Sequence, residues 1–265
     1  MALTQKDYPE EIVKAAKSVL IELVRLLDEY QDDIVVIGGW VPGLQYTGHI
    51  GSLDVDLALN HMKIINASYK KIEALLLVSG YIKDNEKPFR YWRKVNDVNV
   101  AVDFLAGEYS FLGKSTHQQF HDLTAISARG SDIVFTNYME HEIVGVTPDG
   151  KRDTVKVRLA GIGPSIVMKS FALGGRKKEK DAYDIYISLL EFPGGVDSII
   201  TEFRRIKGHG LVKEALEILA EKFQSPEHAG PVDIVNFLEI DDEEERQRIQ
   251  RDAFERVDYL VRNLS

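Results

Sequence analysis

Gly38-Gly39-Trp40, standing directly after Ile34-Val35-Val36-Ile37, and Gly51-Ser52-Leu53-Asp54-Val55-Asp56-Leu57 a short way on, decide how this chain is read. The apolar run is short, β-branched and uninterrupted, the pattern of a buried strand. Gly38 and Gly39 end it, and without side chains they let backbone N–H groups come close to phosphate oxygens. Residues 53–57 alternate with period two. In a strand Leu53, Val55 and Leu57 then share one face, and Asp54 and Asp56 lie side by side on the other. Two carboxylates so placed can ligate divalent cations together, as phosphoryl transfer from a metal-bound nucleoside triphosphate requires.

A third carboxylate stands in a similar setting. In Val98-Asn99-Val100-Ala101-Val102-Asp103 the valines take one face of a strand, while Asn99, Ala101 and Asp103 take the other. An aspartate ending an otherwise apolar strand must be solvated, paired or metal-bound, because burying a lone carboxylate is expensive. Three aspartates from two neighbouring strands repel one another and demand a cation. The spacing therefore predicts that Asp54, Asp56 and Asp103 meet on one sheet face, opposite Val55 and Val100. Arg90, Arg93 and Lys94 are candidates to balance triphosphate charge in the same half of the chain.

Gly38-Gly39, Ser52-x-Asp54-x-Asp56 and Asp103 resemble the signature elements of the DNA polymerase β-like nucleotidyltransferase superfamily. Lys169, followed by Arg176-Lys177-Lys178-Glu179-Lys180-Asp181-Ala182-Tyr183-Asp184-Ile185-Tyr186, is similar to the Lys…Arg…Lys-Asp-x-Tyr-Asp element of the AbiEii/AbiGii toxin group. The likeness covers roughly residues 30–190. It implies an α/β (α+β) fold, a mixed sheet flanked by helices, with a helical C-terminal domain closing the cleft. It implies that Gly38, Gly39 and Ser52 hold the triphosphate and that Asp54 and Asp56 bind Mg²⁺ or Mn²⁺. Asp103 would complete the metal site or activate the attacking hydroxyl. Lys169 would contact the nucleotide phosphates, with Asp181 or Asp184 positioning the acceptor or that lysine. The implied activity is transfer of a nucleoside monophosphate from an NTP to a hydroxyl acceptor, tRNA or another macromolecule, by a toxin with an antitoxin protein encoded beside it. Two other readings stay open: a small-molecule, antibiotic-type nucleotidyltransferase, and a catalytically silent nucleotide-binding or interaction module.

Composition narrows the partners. With 33 basic against 42 acidic residues the net charge is −9, so contact with RNA or nucleotide must be local and basic. Arg176-Lys177-Lys178 is a dense basic cluster able to meet the phosphates of an NTP or an RNA end. No cysteine is present, so neither a disulfide framework nor a thiolate metal site is possible. No basic-then-apolar start reads as a signal peptide, and no apolar run reaches about 20 residues, so the expectation is a cytoplasmic protein without a membrane span.

Periodicity predicts helices over 10–30, 40–45 and 66–78, strands over 91–95, 98–104, 133–138, 142–146 and 154–159, a helix with Pro164 in its first turn running through Met168 and Phe171, and helices over 183–190, 196–206, 211–223 and 241–264. The change of pattern near Gly161 predicts an α/β domain over 1–160 and a helical domain over 161–265. His117 and His121 stand four apart beside Asp122, but no third ligand follows at a zinc spacing, so they read as a solvated helix face. Trp92 could stack on a base, yet a lone aromatic in a strand reads first as core.

Overall fold

In a computed structural model the described residues are 3–60, 63, 71–108, 117–120, 123–176 and 178–264, the side chains of 118–120 excepted. The chain divides into two compact units. One comprises Pro9–Leu44 and Gly51–Gly161, the other Met1–Tyr8, Gln45–Ile50 and Ile162–Ser265. The pattern change near Gly161 coincides with one border. The short segments at 1–8 and 45–50 carry no compositional sign that they join the helical unit.

The first unit is built on a mixed sheet. Its strands are β1 (Ile34–Ile37), β2 (Asp54–Leu59), β3 (Ile82–Lys83), β4 (Arg90–Val95), β5 (Val98–Ala106), β6 (His117–Phe120), β7 (Leu123–Ser127), β8 (Tyr138–Val146) and β9 (Arg152–Ala160). They run in the order β3-β4-β5-β2-β1-β9-β8, with β7 on β5 and β6 on β7. β1 is antiparallel to β2 and parallel to β9, and β2 is parallel to β5. All four residues of β1 are buried, as its unbroken β-branched run requires of a central strand. Helix α1 (Glu10–Leu26) starts after Pro9 with Glu10 and Glu11 in its first turn, which suits the helix dipole. It stops short of the expected Tyr30, and Asp28–Tyr30 form a 3-10 turn instead. Helix α2 (Trp40–Gln45) keeps Pro42 in its first turn, where no hydrogen bond is lost.

Two expectations fail in this unit. The sequence pattern over 133–138 points to a strand, but Ser131–Phe135 form a 3-10 helix entered through Gly130 at φ 85°, and β8 begins only at Tyr138. The turn buries the consecutive Ile133 and Val134 together, whereas a strand would point them to opposite faces. His117 lies in β6, paired with Ile126, not on a helix. His121 and Asp122 fall outside the described residues, as does the first part of the helix expected over 66–78; helix α3 is Ile72–Val78.

The second unit consists of α4 (Ile162–Gly175), α5 (Glu179–Glu191), α6 (Gly195–Ile206), α7 (Gly210–Lys222), α8 (Ala229–Phe237) and α9 (Glu243–Leu264), together with its two short segments. Helix α8 has no counterpart in the sequence reading, because Gly230 and Pro231 disguise it. Pro231 is tolerated in a first turn. Gly230 is required by packing: a Cβ there would lie 2.5 Å from the Phe223 ring. Helix α5 is buried from Lys180 through Leu189, hence a core helix rather than an amphipathic one. Tyr186 on α5 donates to Asp252 on α9 at 2.9 Å, and Arg256 reaches the same carboxylate at 2.8 Å. Among the described residues no helix is long and apolar enough to cross a membrane.

Glu22 fastens α1 to the sheet. Its carboxylate accepts from the Tyr81 hydroxyl at 2.8 Å and from Arg93 Nε and Nη2 at 2.8 and 2.9 Å. Glu22→Ala strands a half-buried guanidinium and a buried phenol, so urea unfolding should show a loss of about 1–3 kcal/mol.

Candidate functional site

Strand register assembles the acidic face. Asp56 on β2 is opposite Asp103 on β5, and Asp54 is opposite Ala101. Because side chains alternate, Asp54, Asp56 and Asp103 share a face and Val55, Val100 and Val102 take the other. The hairpin joining β4 to β5 turns through Asn96 at φ 53°, a left-handed conformation that asparagine tolerates. Its register sets Arg90 opposite Asp103 and Trp92 opposite Ala101, so both belong to the acidic face. Arg93, one residue out of phase, goes to Glu22 instead.

The two glycine-flanked motifs form one mechanical unit. Gly38 has φ +72°, and a Cβ on it would lie 2.2 Å from Asp56 Oδ2. Glycine is thus required twice, by the backbone and by the carboxylate packed against it. The buried Trp40 donates its indole N–H to the Asp54 carbonyl at 2.7 Å, tying the start of α2 to the start of β2. Ser52 is buried and donates to Asp54 Oδ1 at 2.7 Å, which aims that carboxylate.

Asp103 is engaged bidentately. Arg90 Nε and Nη2 lie 2.7 and 2.6 Å from its two oxygens, a planar charge-assisted fork. The bond to Asp103 raises the Arg90 pKa above its ordinary value, and the charges of Asp54 and Asp56 push it the same way. Among the described residues no group of three or more His, Asp or Glu side chains is gathered so as to hold a metal ion. Mg²⁺ does not need such a cage, since it is commonly held by one or two carboxylates with water and substrate phosphates. The hard oxygens of Asp54 and Asp56 fit that donor chemistry, and Asp103 would have to leave Arg90 to add a third.

Lys169, Arg176, Asp181 and Asp184 come together in the helical unit, with Lys180 and His49. Asp181 and Asp184 on α5 are 0% and 1% exposed. Lys169 from α4 puts its ammonium 2.9 Å from Asp181 and 2.5 Å from Asp184. Lys180 meets Asp184 at 2.7 Å, Arg176 meets Asp181 at 2.9 Å, and His49 Nε2 lies 2.9 Å from Asp184. Burial alone would raise the Asp184 pKa, but Lys169 and Lys180 reverse this and hold it well below the ordinary carboxylate value. Burial would likewise lower that of Lys169, and Asp184 and Asp181 turn the balance upward. For Lys180 and His49 burial prevails and both pKa values fall.

Lys169, to which the resemblance gives contact with nucleotide phosphates, has its ammonium enclosed between Asp181 and Asp184. The Lys180–Asp184 pair, spaced i,i+4 on the helix, is interior. Arg176 keeps a side chain 56% exposed while it binds Asp181. Lys177 falls outside the described residues. Trp92 is half-buried, neither core nor open: its indole N–H donates to Asp84 at 2.7 Å and its ring lies 5.4 Å from the Arg90 guanidinium carbon. The Arg90–Asp103 pairing was open to sequence reasoning by counting back along the hairpin from the tight turn at Asn96. The part played by His49 had no such signal. Set against known protein families and against curated proteins, the chain matches none.

Two outcomes follow from this geometry. Gly38→Ala should cost about 1–2 kcal/mol from the left-handed backbone alone, and more from the displaced Asp56, measured by urea unfolding. His49 is buried neutral, so between its depressed folded pKa and the ordinary 6.5 the unfolded chain binds more protons. Stability therefore falls as pH drops below about 6.5, before the carboxylates titrate. In His49→Gln, melting followed across pH 7 to 5 should show a shallower early slope, the rest belonging to His141, whose pKa burial also lowers.

Proposed function

We propose that the chain is a metal-dependent nucleotidyltransferase that moves a nucleoside monophosphate from an NTP to a hydroxyl group, of RNA or another macromolecule. In that reaction the acceptor oxygen bonds to the α-phosphorus, the bond from that phosphorus to the β-phosphate's bridging oxygen breaks, and pyrophosphate leaves. The observation that carries the reading is the placement of Asp54, Asp56 and Asp103 on one sheet face, with Gly38 packed against Asp56.

Each group has a task that its setting supports. Asp54, aimed by Ser52, and Asp56, seated on Gly38, would hold Mg²⁺. The ion would supply charge neutralisation and in-line positioning of the phosphates. Gly38 and Gly39 leave backbone close to that point, where a side chain would keep a triphosphate away. Arg90 brings positive charge to the same face. Chemistry of this kind is positioning and electrostatics more than covalent catalysis. The assignment as a toxin paired with an antitoxin rests on the resemblance of the Lys169 and Lys180-Asp181-x-Tyr183-Asp184 elements. In the structure those side chains form an internally paired cluster, their charges spent on one another.

Incubation with each α-labelled NTP, Mg²⁺ and total RNA tests the reading. Labelled RNA and released pyrophosphate are expected with at least one NTP. Asp54→Asn and Asp56→Asn should each lower transfer by about 100-fold or more while melting temperature stays near that of the parent. Absence of transfer to RNA, protein or small hydroxyl acceptors with all four NTPs would refute it.

A further inference from the structure

Arg90 does not sit on the acidic face as a loose counter-ion. It is backed by a chain of fixed contacts: the backbone N–H groups of Glu86 and Lys87 donate to Asp84 Oδ1 at 2.8 Å each, and Trp92 donates to Asp84 Oδ2 at 2.7 Å. The Trp92 ring in turn lies beside the guanidinium of Arg90, which grips Asp103. Arg90 and Trp92 sit two apart on β4 and Asp103 directly across on β5, so the sheet itself holds the assembly in register. The ion pair is mostly shielded, with side chains 19% and 12% exposed. A cation supported from behind by an aromatic ring and a hydrogen-bonded carboxylate is preorganised in place.

We infer that Arg90 takes the position of a second cation and that the site holds one divalent ion, on Asp54 and Asp56, with Asp103 reserved for the guanidinium. This deepens the nucleotidyltransferase reading and rests on it. Three carboxylates sharing a face need positive charge close by. One divalent ion and one guanidinium meet that need with hard-oxygen ligands for the ion and a planar partner for the fork. The fork uses only part of the guanidinium's donors, so Arg90 can also face phosphate oxygens. Arg90 is thus a positioning residue for Asp103 and a fixed positive charge toward the triphosphate.

Counting bound Mn²⁺ tests this without any turnover. Mn²⁺ alone is titrated into the full chain and its free signal read by electron paramagnetic resonance, with the Asp54→Asn, Asp56→Asn double variant as the background for surface binding. The parent should bind one ion above background. Arg90→Ala should bind two, because Asp103 is released, and Arg90→Lys should return to one. Should Arg90→Ala fail to fold by circular dichroism, the charge-neutral pair Arg90→Gln, Asp103→Asn decides. It should keep one ion with affinity within about threefold of the parent, whereas a tenfold or greater loss would make Asp103 a ligand. Two ions in the parent, or one in a folded Arg90→Ala, overturn this assignment and leave the proposed transfer standing. No ion in the parent likewise overturns this assignment, and the labelled-NTP assay then decides the transfer separately.

Discussion

Carboxylates cannot be crowded on one face of a sheet without positive charge among them, and much of the first unit is arranged around that constraint. Asp56 and Asp103 are cross-strand neighbours because β2 and β5 run parallel in register. Their repulsion is offset from β4, whose hairpin brings Arg90 directly opposite Asp103. Asp54 and Asp56 stand at the beginning of the strand that follows the glycine turn. The packing of Gly38 on Asp56 and the reach of Trp40 to the Asp54 carbonyl hold that end rigid. A site whose ligands are aimed by their own neighbours loses little entropy when a cation arrives.

The helical unit meets the same electrostatic problem in its interior and resolves it by closure. Helix α5 is buried along ten consecutive residues, from Lys180 to Leu189, and two of them are aspartates. Ionised groups there survive only if paired. Burial holds the pKa of His49 below its ordinary value beside Asp184, and the positive charges of Lys180 and Lys169 push it the same way. Such networks are costly to break from one side, because each deletion strands a buried partner. The Lys-Asp-x-Tyr-Asp element is therefore at once the hydrophobic core and the ionic core of this unit.

How much could be read in advance varied by element. The strands carrying Asp54, Asp56 and Asp103 and the short helix at Trp40 were legible from local alternation and a single proline. Helix α8 was not, since Gly230 and Pro231 suggest a loop until the Phe223 ring is seen to occupy the space a side chain would need. The segment around Ile133 misled for the opposite reason: its residues have strand propensity, yet Gly130 turns the chain before a strand can begin. Lys169 looked like a reaching lysine because nothing local reveals that both partners of its ammonium lie on the next helix.

By itself the sequence determined the phase of each strand, hence which aspartates share a face, and the turn at Asn96 that fixes one hairpin register. These depend only on alternation and on backbone preferences a few residues long. The tertiary structure alone decided which charges meet: that Asp103 belongs to Arg90 with Trp92 and Asp84 behind it, and that His49, Lys169 and Lys180 converge on Asp184. Electrostatic partners are chosen by distance and burial, and those follow from segments far apart in the chain being folded against one another.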